Sequence, residues 1–171
     1  DALIKFLHGI PDEVVLLMLE DMWPVRAVNR DAIKILYDYM QQFEYVAKID
    51  LCADRLYAHG MRDYGHAGCL DLVISMPGSP YHLSLMPGLW RKEHLLKALV
   101  PGETPWEVEL NGTVRLSHDR DVIVLGTRQW PLRVTLAFRG GDFGKLLLDE
   151  VDKADVEARR EKGLLEPWTS E

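Results

Sequence analysis

The run "VVLLML" at residues 14–19, closed by Glu20 and Asp21 and then by Met22, Trp23 and Pro24, constrains this chain more than any other stretch. A short apolar run flanked by Pro11 and Pro24 suits a strand at the centre of a sheet better than a helix. Such a strand needs helices over it, so the expected fold is α/β, a mixed sheet with flanking helices. The two acids then stand at the carboxyl end of the strand, where the ligand crevice of an open α/β sheet lies. Adjacent carboxylates there can hold a hard divalent cation, Mn2+ or Mg2+, which in turn holds a diphosphate. The plainer reading is a strand that finishes in solvated charge.

The rest of the chain alternates between the two periods. Residues 1–8 read as a helix closed by Gly9. Asn29 can cap a helix reaching Gln42, with Ile33, Leu36, Tyr37 and Met40 on one face, and residues 45–51 follow as a strand. That order predicts a right-handed parallel crossover. Residues 52–70 read as a long surface connection, then residues 71–76 and 81–86 as strands joined by "PGSP", then residues 91–99 as a helix. In "TPWE" a capping box is expected, with Thr104 at N-cap, Pro105 at N1 and Glu107 at N3, opening a short helix. Further strands are expected at residues 122–125 and 132–138, a glycine-rich turn at "RGGDFGK", and a last helix from Asp149 to Lys162, stopped by Gly163. With no repeat, low-complexity tract or linker dividing it, the chain reads as a single domain over residues 1–171.

Charge and cysteine content narrow the function classes. The 27 Asp and Glu outnumber the 20 Lys and Arg, and a net charge of −7 argues against a surface built to neutralise nucleic-acid phosphates or to lie on anionic lipid. Two cysteines are too few for a disulfide scaffold and no apolar run is long enough to span a bilayer, so a cytoplasmic setting is expected. The spacing of Cys52, His59, His66 and Cys69 fits no standard zinc finger, so bound zinc is not expected. Arg26 and Arg30, after the acidic strand, could meet a phosphate, although arginines at a helix start are more often solvated.

"VVLLMLEDMWPV", a capped helix, "VAKIDL" and then "YHLSLMPGLWRKEHLLKALVPGETPWEVEL" together resemble bacterial sugar-nucleotide glycosyltransferases of the GT-A type, of the polysaccharide-assembly kind. The resemblance covers residues 14–116 and implies transfer of a sugar from a nucleoside diphosphate donor to a saccharide acceptor. It implies that Glu20 and Asp21 hold the metal and the donor diphosphate. It implies that Glu107, or failing it Glu109, takes the proton of the acceptor hydroxyl, a task a carboxylate can perform. Trp90, Trp106 and Arg91 would flank the acceptor, although Trp106 is expected to pack between helices. Such enzymes carry a nucleotide-binding half ahead of the acidic strand, so the chain is expected to correspond to the acceptor-side, C-terminal half. A non-catalytic saccharide-binding or interaction module on the same fold is the alternative.

Overall fold

The apolar run forms β1 (Val14–Leu17), and the chain then turns back at Leu19, whose carbonyl accepts the Met22 amide at 3.1 Å. The computed structural model describes residues 1–52 and 61–136. Before β1 stands α1 (Ala2–Gly9); after it come β2 (Met22–Pro24), α2 (Arg30–Gln42), β3 (Val46–Asp50), β4 (Met61–Ala67), β5 (Leu70–Ser75) and β6 (Gly88–Arg91). The series ends with α3 (Lys92–Ala98), α4 (Pro105–Ser117), β7 (Ile123–Thr127) and β8 (Val134–Leu136). Six strands form one open mixed sheet in the order β1-β6-β3-β7-β5-β4, while β2 and β8 pair in a sheet of their own. The fold is therefore α/β with helices on both faces of the main sheet.

Alternation along the strands sorts the core into two layers. Ile49, Leu72, Leu89 and Leu125 meet Ala32, Leu36 and Met40 of α2 on one face. Ala47, Trp90 and Val124 meet Leu7, Leu95, Val108 and Leu116 of the other helices on the opposite face. Every residue of the central strand β3 is buried. The helix starts follow their sequence signals. Asn29 Oδ1 accepts the Ala32 amide at 3.0 Å, satisfying one of the orphan donors of α2. The capping box of α4 is complete, with Pro105 in its first turn, and the helix runs for 13 residues rather than the short element expected.

Four expectations are corrected. β1 and β3 do point the same way, since both run antiparallel to β6, but β6 lies between them and no direct crossover pair forms. Among the described residues, the only parallel neighbours in the main sheet are β3 and β7. Residues 81–86 form no strand, and the helix expected from residue 91 begins at Lys92, because Gly88–Arg91 is strand. Part of the expected surface connection is β4, an edge strand paired with β5. The outer part of the strand expected at residues 132–138, "RGGDFGK" and the helix from Asp149 to Lys162 lie outside the described residues.

Candidate functional site

Strand register places the groups at one end of the sheet. Leu17 stands opposite Gly88, Gly88 opposite Asp50, and Asp50 beside Gly126, so these four form a row across the carboxyl ends of β1, β3 and β7. Neighbouring strands lie about 4.8 Å apart, which sets β1 and β3, with β6 between them, about 10 Å from each other. The Glu20–Asp21 turn follows just beyond Leu17 at this end. The Trp23 indole N–H donates to the Glu20 carbonyl at 3.3 Å and helps to fix the turn. Glu20 is exposed. Asp21 is partly buried, and its Oδ1 is shut off from solvent without a hydrogen-bond partner among the described residues. A carboxylate oxygen in that position is unfavourable until a donor or a cation reaches it.

The floor beside the acids carries a feature that the sequence analysis passed over. Lys48 is 0% exposed and Asp50 is 1% exposed, and they form a buried ion pair on the face of β3 that also carries Trp90 across the register. Lys48 Nζ donates to the Ser84 carbonyl at 2.5 Å and lies 5.2 Å from the centre of the Trp90 ring. Nearby, Ser75 Oγ and His82 Nδ1 are 2.9 Å apart, both residues buried. The signal was available in "VAKID", where a lysine and an acid two apart interrupt an otherwise apolar central strand.

Residues 78–85 lie over this floor because α4 holds them there. Its residues recur at i, i+4 and i+8, one face of a helix. Glu109 Oε1 accepts the Leu85 amide at 2.7 Å, Thr113 Oγ1 accepts the Leu83 amide at 3.0 Å, and Ser117 Oγ accepts the Gly78 amide at 3.1 Å. Gly112 permits the approach, since a Cβ there would stand 2.8 Å from Leu83 Cδ1. Glu107 lies on a different row. Its Oε2 accepts from both the amide and the hydroxyl of Thr104, at 2.8 Å each, and those bonds hold its carboxyl below the usual glutamate range. Glu109 therefore belongs to the face of α4 that meets the segment above the floor, and Glu107 to the helix cap.

The remaining candidates separate. Trp106 is 64% exposed, against the packing role expected for it. Trp90 is fully buried in the core, and Arg91 turns away from the acidic end. Arg91 pairs in register with Val14 at the start of β1, and its Nη2 donates to the carbonyls of Met40 (2.5 Å) and Phe43 (3.3 Å), closing the end of α2. Arg30 is exposed at the start of α2. Among the described residues no group of three or more His, Cys, Asp or Glu is set to hold a metal ion. Of the cysteine and histidine set, Cys52 is buried, Cys69 is exposed, His66 pairs with Asp71 at 3.1 Å, and His59 lies outside the described residues. No known protein family, characterised protein or solved structure matches the chain. Among the described residues, no helix is long and apolar enough to cross a membrane.

Proposed function

We propose that the chain is the acceptor-side half of a metal-dependent, cytoplasmic glycosyltransferase that moves a sugar from a nucleoside diphosphate to a saccharide hydroxyl. The observation that carries this reading is the Asp21 carboxylate in the turn beyond the carboxyl end of β1, with an oxygen closed to solvent and without a hydrogen-bond partner among the described residues. A divalent cation fits there: Glu20 and Asp21 supply hard oxygens, and diphosphate and water oxygens would complete the shell. When bound, such an ion offsets the negative charge that grows on a departing diphosphate. The proton of the attacking hydroxyl goes to a carboxylate of α4. Glu109, whose Oε1 accepts the Leu85 amide, is preferred to Glu107, whose Oε2 accepts two bonds from Thr104 that make it a weaker base. The exposed face of Trp106 is available to stack on a sugar ring.

Calorimetric titration of the protein with UDP in the presence of manganese tests the reading. Manganese-dependent binding that disappears in Asp21→Asn is expected, with the thermal unfolding of the variant unchanged. Equal affinity in wild type and variant removes Asp21 from the site, and no binding to either removes the donor.

A further inference from the structure

The far edge of the sheet, beside β4, holds a second concavity. α2 runs back toward the start of β3, and its last turns form a groove of about 400 Å³ with the β4–β5 hairpin. Asp38, Tyr39, Gln42 and Phe43 line one wall, and His66 stands on the other. These α2 residues fall at helical spacing on one face, and from Ile35 to Phe43 the wall extends about 12 Å at 1.5 Å per residue. Gly68, at φ +57°, brings the hairpin turn in close, since a Cβ there would lie 3.3 Å from Ile35. The aromatic side continues past the groove. The rings of Tyr39 and Phe43 lie 4.5 Å apart and those of Phe43 and Tyr45 lie 5.7 Å apart, and the hydroxyls of Tyr45 and Tyr64 are 3.5 Å from each other.

Two kinds of group therefore face one cleft: tilted aromatic rings, and short planar polar groups on a carboxylate, an amide and an imidazole. His66 is held by Asp71 (3.1 Å), which is itself fixed by the Gln129 amide (2.8 Å). Asp38 is held by Lys34 (2.6 Å). A sugar ring presents an apolar C–H face and a rim of hydroxyls that both donate and accept. Rings suit the first and amide or carboxylate groups suit the second. A phosphate would meet the Asp38 carboxylate.

From this pairing we infer that the groove between α2 and the β4–β5 hairpin binds a short, uncharged oligosaccharide. It borders β4, which stands at the opposite edge of the main sheet from β1 and the Glu20–Asp21 turn. Failure of the transfer reading therefore leaves it standing, and the reverse holds as well.

Backbone amide shifts of the labelled protein, followed during titration with cellotriose, maltotriose and chitotriose in turn, test the inference. At least one triose should shift Gln42, Phe43 and His66 together, with a Kd of about 1 mM and no change at Glu20 or Asp21. Tyr39→Leu keeps the apolar volume but removes the ring, and Gln42→Ala alters an exposed position that cannot unfold the helix. Each should weaken that binding by about tenfold. Absence of shifts with all three trioses, shifts confined to other surfaces, or unchanged affinity in the Gln42→Ala variant together with a folded Tyr39→Leu variant overturns the inference.

Discussion

At Gly88 the absence of one methyl group decides whether the middle of the sheet can hold a charge pair. A Cβ there would stand 2.7 Å from Lys48 Cε and 3.1 Å from the Ile49 carbonyl. The lysine stem thus occupies the space a side chain would have taken. Gly88→Ala should lower stability by about 1–3 kcal/mol, the usual result of overfilling a packed core, as read by urea denaturation. Lys48→Met is the harsher change, because it keeps the packing of the stem but removes the Lys48 charge from the buried Asp50 carboxylate. Removing one partner of a buried pair costs about 3–5 kcal/mol. The double variant Lys48→Met/Asp50→Asn should recover part of that loss. If the double variant is as unstable as the sum of the two single changes, the pair contributes no coupling.

At the scale of elements, α4 separates two jobs that its sequence had left overlapping. "TPWEVE" offers two glutamates two residues apart, and helix geometry turns them to different sides: one closes the cap and the other reaches the Leu85 amide. Glu109→Gln keeps an oxygen for that amide, so the fold should survive while transfer falls by about 10²- to 10⁴-fold. Glu107→Gln keeps the cap and should leave transfer near normal, whereas Thr104→Ala should lower stability by about 1 kcal/mol without a matching loss of turnover. Transfer rate and melting temperature measured together on the three variants separate these outcomes, and the reverse ranking of the two glutamates would return the base to Glu107.

The same scale shows what could be read in advance. Capped helices were legible, since Asn29 and Thr104 mark helix starts through local hydrogen bonds. Strand β4 was not, because residues 62–66 are all exposed on an edge strand that needs no apolar alternation. Residues 81–86 carried the apolar content of a strand, but side chains of α4 satisfy their amides instead of a neighbouring strand. Strand β6 hid between a proline and a helix start, and its insertion between β1 and β3 is a choice of neighbour that no local pattern encodes. The acids at the end of β1 were legible as a pair. The Lys48–Asp50 floor required knowing that β3 is covered on both faces.

For the molecule as a whole, the shifted groups make stability fall with acid in two stages. His94 is buried between α3 and α4, and burial, outweighing the Glu93 carboxylate 3.1 Å from its Nε2, holds its pKa below the ordinary 6.5. Lys97 and Arg91 push the same way as burial, and Asp119 opposes it. The unfolded chain then binds the proton more readily than the native one, so this contribution is complete above about pH 6.5 and is lost as pH falls through the lower native value. Glu103, bonded to Arg115 and Asn111, and Glu107, bonded to Thr104, both titrate below the ordinary 4.5. Their contribution is present above 4.5 and disappears as pH falls toward their native values. The melting temperature should therefore decline in an upper stage that begins near pH 6.5 and in a second stage below 4.5. His94→Gln should flatten the first stage alone, because the glutamine amide takes up no proton in this range. Glu103→Gln should flatten part of the second and leave the first intact. A melting temperature that stays level between pH 6.5 and 4.5 in the wild-type protein would show that the fold tolerates the His94 imidazolium, and with it that the contact between α3 and α4 admits water around that ring.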